Sequence, residues 1–380
     1  MAEPRKIVLI LGNGFDLDLG LKTSYKDFWE SKFCPKDYPA PLIHHLNQRW
    51  PDSLDAVKWY DLENELLNYY NEISHSRRIP DVITQEEKKF IINVNPASLS
   101  YGVDQQYYEA ANSLLQKGIL KENPRFVPQY IMPYREDLME SSIWRDRNAL
   151  QRIKEGLCQY LNNLGCPKYE SKTIAFQVLA FLDTEAECGN IVNVYSFNYT
   201  RVQLNGRAPD AAIIHYMHGS CSDGKIIIGT RDDKEYDTSY DFLQKSFDPS
   251  FNPPALVADL QDADEVIIFG HSIGENDRQY FKAFFTQQTN FSNTRRKDIT
   301  IFTRNSASEL QIKRSLQGMT DSNLSTLFGL NNLLIIKTGN PEEDQNKIYQ
   351  FLIKHGKGDM QTREFIGTLI QAQKKEKEQV

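Results

Sequence analysis

The chain opens on Ile7-Val8-Leu9-Ile10-Leu11, five aliphatic residues with no polar interruption, stopped by Gly12. A run so short and so uniformly apolar predicts a strand buried on both faces, as in a parallel sheet. Further apolar runs at 191–196, 213–217, 225–228, 265–269, 299–302 and 333–336 predict more strands. Between several of them the period lengthens, and 279–289 and 307–316 read as amphipathic helices. Strand and helix in alternation predict an α/β, Rossmann-like fold: a mostly parallel sheet with helices on both faces.

One long stretch breaks that rhythm. After a short helix opening near Ser24, with Thr23 or Ser24 as its cap, strand signals become scarce up to Phe181. Leu62, Leu66, Leu67, Tyr70 and Ile73 recur at helical spacing, and 143–164 and 173–182 read the same way. Prolines at 124, 128 and 133 mark an irregular connection. Aromatic residues such as Tyr107, Tyr108 and Trp144 can form the core of this region or a partner surface, and at helical spacing the core is the expected place. The expected organisation is a first βα unit over 1–37, a large helical insertion over 38–185, the rest of the sheet over 186–358, and a C-terminal helix or frayed charged tail over 359–380.

Composition narrows the function. A net charge of −7 argues against a strong non-specific grip on nucleic acid. The five cysteines have no C-x-x-C spacing, which disfavours a disulfide framework or a zinc ribbon. Neither a signal-peptide layout nor an apolar run of spanning length is present, so a soluble, cytoplasmic protein is expected, with no membrane partner.

In an open parallel sheet, ligands bind beyond the carboxyl ends of the strands, so the residues after each strand carry the candidate chemistry. The first strand runs into Gly12-Asn13-Gly14-Phe15-Asp16. Glycines there permit a sharp turn and close approach to a phosphate; the plainer reading is an ordinary βα turn. Asn198 follows the second strand and offers both a donor and an acceptor to a ribose hydroxyl or a water, or is a turn residue. His218 follows the next strand, where a neutral imidazole can take a proton near pH 7; a packed histidine is the alternative. Cys221 stands close enough in sequence for a Cys–His pair, although nothing marks its thiol as activated. Gly270-His271-Ser272-Ile273-Gly274-Glu275-Asn276-Asp277 follows the strand at 265–269. Ser272 there can meet a phosphate or ribose, and Asp277 can do the same or cap the next helix. The G-x-S-x-G lettering suggests a hydrolase elbow, but His355 is the only later histidine and lacks a fitting context.

These blocks, in this order, resemble the bacteriophage abortive-infection AbiH family. The resemblance rests on the opening Ile10–Leu17 with Gly20–Tyr25 and on Trp59-Tyr60-Asp61-Leu62-Glu63. It continues through Ser196–Thr200, His218-Gly219, Ile228–Asp232 and Phe269–Asp277. That family is in turn similar to the sirtuin-like domains of antiviral proteins. The resemblance implies an antiphage effector that binds a nucleotide, with NAD expected as the substrate, and hydrolyses its nicotinamide–ribose bond. It implies Asn198 and His218 as the catalytic pair. The expected ligand contacts are Gly12, Asn13, Gly14, Phe15 and Asp16 from the first loop. Gly270, Ser272 and Asp277 join them from the later one, and no metal ligand is expected. Thr200 stands where those domains carry Asp, Asn13 and Phe15 replace small residues, and a cysteine zinc module is lacking, which disfavours protein deacylation. A phage-derived trigger and a homo-oligomer are further expectations. Two other readings stay open: a metal-dependent nuclease or nucleotide hydrolase using Asp16, Asp232 and Asp277, and a non-catalytic nucleotide sensor.

Overall fold

The computed structural model describes residues 3–50, 61–77, 136–164, 172–202, 212–232, 236–292 and 295–378. The chain divides into two compact units, one made of 1–34, 154–234 and 244–380, the other of 35–153 and 235–243.

The first unit is built on a six-stranded sheet. Its strands are β1 (Lys6–Leu11), β2 (Ile191–Ser196), β3 (Ile213–Tyr216), β6 (Glu265–Phe269), β7 (Asp298–Thr303) and β8 (Asn332–Lys337). A separate ribbon pairs β4 (Gly219–Ser220) antiparallel with β5 (Lys225–Ile226). The sheet order is β3-β2-β1-β6-β7-β8, and every neighbouring pair is parallel. β1 is central because its residues have somewhere to go on both sides. Ile7, Leu9 and Leu11 join one core cluster, while Val8 and Ile10 join the other.

Helices close both faces. Ile174–Glu187, Pro341–Lys354 and Asp359–Glu378 bury Val178, Leu179, Phe351 and Ile366 on the first face. Leu256–Asp262, Arg278–Gln287, Ser306–Met319 and Leu324–Leu330 bury Leu260, Phe281, Phe284 and Leu316 on the second. The α/β expectation is therefore met. The apolar run at 225–228 is strand only over Lys225–Ile226, outside the main sheet, and Ile227 and Ile228 continue as buried coil. Such a run reports burial without reporting sheet membership. The charged C-terminal run is helical through Glu378.

In the second unit, the helices Pro41–Arg49 and Leu62–Arg77 and part of Glu136–Asn163 surround a buried carboxylate. Asp146 is fully buried. It accepts hydrogen bonds from the Leu42 amide (2.9 Å), Tyr69 (2.5 Å) and Tyr240 (3.2 Å). Trp144, expected in the core, is 64% exposed. Burying Asp146 turns that helix face inward and points the indole out. Much of the expected insertion, including Trp59, Tyr60, Tyr107, Tyr108 and the three prolines, lies outside the described residues.

Candidate functional site

The strand register brings the carboxyl ends of four strands to one edge of the first unit. Leu11 pairs with Ser196 and with Phe269, and Ser196 pairs with Tyr216. The segments beyond those residues are the ones that sequence reasoning singled out. The chain builds leftward from β1 to β2 and β3, then crosses over to β6. That reversal falls between β1 and β6, where open α/β sheets form their ligand crevice.

The turn after β1 is very short. Gly12 is extended and the helix Asn13–Asp18 starts directly behind it. Its amides are engaged with the β6 end: Gly12 donates to Phe269 O and Gly14 to Gly270 O, both at 2.9 Å. A Cβ on Gly12 would lie 2.5 Å from the His271 Cα, and one on Gly14 would lie 2.7 Å from the Gly270 Cα. Gly270 itself has φ +65°. These glycines let two ligand-type loops approach backbone to backbone. Phe15 anchors the turn by edge-to-face packing on Phe269, and Asn13 Oδ1 accepts from Thr23 at 2.6 Å.

Asp16 and Asn198 meet beneath this turn. Asn198 is buried, donates from Nδ2 to Gly12 O at 3.0 Å, and bonds the Asp16 carboxyl. Thr200 donates to Asp16 Oδ2 at 2.6 Å. Burial pushes the Asp16 carboxyl up to about 7 against the pull of both hydrogen bonds. A proton held there exchanges near neutrality, the range useful for acid–base work.

His218 enters a second polar cluster. Its Nε2 lies 3.4 Å from Asp277 Oδ1 and 3.3 Å from Lys245 Nζ. Lys245 in turn donates to Asp277 Oδ1 at 3.1 Å. His271 completes the group. Its Nδ1 accepts the Ile273 amide at 2.9 Å, so Nε2 carries the proton and donates to Asp277 Oδ2 at 3.2 Å. Burial and the Lys245 charge lower the His218 pKa, keeping the ring neutral. Burial alone would raise the Asp277 carboxyl, but Lys245 and the two imidazoles hold it well below the usual carboxylate range. The two clusters are neighbours: the Phe197 ring, one residue before Asn198, packs on both His218 (5.3 Å) and His271 (4.3 Å).

The loop after β6 carries strain. Ile273 is buried yet sits at φ +50°, a region β-branched residues avoid. Ser272 beside it is exposed.

Cys221 faces the Cys158 sulfur and not His218. His215 stacks on Tyr195 within the sheet layer. His355 bonds Glu185 at 2.7 Å and lies 3.4 Å from Glu265, at the amino end of β6, whereas Ser272 follows its carboxyl end. The three acids proposed as metal ligands have separate partners: Thr200 for Asp16, Ser246 for Asp232, and Lys245 with the imidazoles for Asp277. Among the described residues, no group of three or more His, Cys, Asp or Glu is placed to hold a metal ion. Sequence reasoning missed Lys245 and gave His271 no role. The lysine lies in a short 3₁₀ turn without periodic signal, and only its burial beside His218 and Asp277 reveals it.

Comparison with known proteins gives one match. A family model described as bacteriophage abortive infection AbiH covers residues 8–298. No curated protein and no solved structure matches the chain.

Proposed function

Because this chain belongs to the bacteriophage abortive infection AbiH family, we propose that it is an antiphage effector whose site binds NAD and hydrolyses the nicotinamide–ribose bond. The observation that carries this reading is the gathering of Asn198, Asp16, His218 and Asp277 around one sheet edge, at the reversal of the β3-β2-β1-β6-β7-β8 order. A Rossmann-type sheet places dinucleotides at that point.

Hydrolysis adds water across the glycosidic bond, giving ADP-ribose, nicotinamide and a proton. The cationic nicotinamide leaves readily, so the protein mainly orients the sugar and accepts the proton of the attacking water. His218 suits the second task. Nε2 faces both Asp277 Oδ1 and Lys245 Nζ, and in the tautomer whose Nε2 donates to Asp277 the Nδ1 lone pair is the base. Asp277 is a positioning residue here, fixing the tautomer as a carboxylate does behind any catalytic imidazole. Asn198 suits the first task, since its carboxamide is held by Gly12 O and by Asp16 and keeps an acceptor for a hydroxyl.

The experiment is incubation of purified protein with NAD, with product analysis for nicotinamide and ADP-ribose. His218→Ala and Asn198→Ala should each reduce turnover by about 10²-fold or more while circular dichroism stays that of the wild type. Turnover that is equal in all three proteins, or absent from the wild type under every condition that supports phage protection, rejects the reading.

A further inference from the structure

Cys158 and Cys221 stand 63 positions apart in sequence, yet their sulfurs face each other at 2.7 Å. Cys158 lies near the end of the helix Glu136–Asn163, and Cys221 follows the short β4 strand three residues beyond His218. Both are reduced and buried. The backbone around them is well fixed: the Cys221 amide donates to Tyr199 O at 2.9 Å, and Asn162 Nδ2 donates to Cys221 O at 3.4 Å. Two sulfurs so placed need a movement of only about 0.7 Å to reach disulfide bonding distance.

We propose that Cys158 and Cys221 are a dithiol–disulfide site, closed by a peroxide oxidant, that fastens the segment carrying His218 to the end of this helix. The chemistry balances in two steps. The Cys158 thiolate attacks one peroxide oxygen, the O–O bond breaks, hydroxide leaves, and Cys158 becomes a sulfenic acid. The Cys221 sulfur then attacks the Cys158 sulfur, the S–O bond breaks, and water leaves as the S–S bond forms. In sum, two thiols and one hydrogen peroxide give one disulfide and two waters. The order of the steps follows from the pair itself. The Cys221 hydrogen bond lowers the Cys158 pKa, whereas that bond and burial raise the Cys221 pKa, so Cys158 supplies the thiolate. The exposed Cys188 has no such neighbour among the described residues.

The test requires no assumption about NAD. The full chain is reduced, treated with about one equivalent of hydrogen peroxide, denatured, alkylated and mapped by peptide mass spectrometry without reduction. The expected result is loss of two alkylatable thiols and a cross-linked peptide joining Cys158 to Cys221, both reversed by dithiothreitol. Oxidation should also raise the wild-type Tm by a few degrees and leave that of Cys221→Ser unchanged. Full alkylation of all five cysteines after peroxide overturns the proposal, as does a cross-link to another cysteine or irreversible oxidation of Cys158 with Cys221 still alkylated. The mapping is done on the wild type, so it decides the question even if the variant fails to fold.

Discussion

Lys245 Nζ sits 3.1 Å from Asp277 Oδ1, with 1% of the lysine side chain and 15% of the aspartate side chain exposed. A cation this deeply buried is retained only when its charge is met, and here the same oxygen also faces His218. Lys245→Met therefore leaves the partly buried Asp277 with less compensation and removes the charge that depresses His218. Breaking such a pair typically costs about 3–5 kcal/mol, and urea denaturation should show a loss of that order. In the same variant the His218 imidazole resonances, followed by NMR, should titrate at higher pH than in the wild type.

Asp16 predicts a pH effect of definite sign. Its carboxyl rises from an ordinary 3.8 to about 7 on folding. The folded state then binds a proton that the unfolded chain releases, so the associated stability is complete below pH 3.8 and lost as pH rises through about 7. At roughly 1.4 kcal/mol per pH unit, the swing is on the order of 4 kcal/mol. Asp16→Asn should flatten that part of the stability curve while still accepting the Thr200 hydroxyl. Parallel slopes for both proteins between about pH 4 and 7 would place the proton elsewhere.

The first glycine of the β1 turn and the later Gly20 make a matched comparison. A methyl at Gly12 meets the His271 backbone at 2.5 Å, whereas at Gly20 nothing lies within 4 Å. Gly20 is instead left-handed, at φ +84°. Gly20→Ala should cost about 1–2 kcal/mol through backbone strain alone. Gly12→Ala should cost more and should shift the His271 resonances. Equal losses would mean that the approach of the two loops is unimportant.

Asp146 tests the other unit by itself. Its carboxylate receives the Leu42 amide and the Tyr69 and Tyr240 hydroxyls in a fully buried setting. Asp146→Ala removes a buried acceptor from the Leu42 amide and from the Tyr69 and Tyr240 hydroxyls, and a loss of roughly 3 kcal/mol is expected. Hydrogen exchange should locate that loss at the Leu42 amide and its neighbours in Pro41–Arg49.

The sheet was legible in the letters because β1, β6 and β7 are apolar on both faces, a pattern that few other structures need. Asn198 and His218 were legible by position, since each follows a strand whose end reaches the same edge. What escaped were relationships that only the folded topology creates. The letters of Gly12-Asn13-Gly14 do not distinguish room for a phosphate from room for another backbone, and the structure shows the second at Gly12 and Gly14. Lys245 reads as a surface lysine until Asp277 and His218 close around it. The contact between Cys158 and Cys221 has no local spacing to announce it. Trp144 misled for a related reason: helical period marks a face but not its direction, and Asp146 took the inner one.

The order of the sheet also bears on how the chain is made. β1 is translated before the other strands of the sheet, yet its partners are Ile191–Ser196 and Glu265–Phe269. At about 5–20 residues per second, roughly 10–40 s pass between synthesis of Leu11 and arrival of Ile191. Through that interval the most apolar hexapeptide of the fold has neither lateral neighbour. A nascent chain of this design invites holdase binding at β1, and its refolding in vitro should be slow, limited by long-range closure around a strand that waits in the middle.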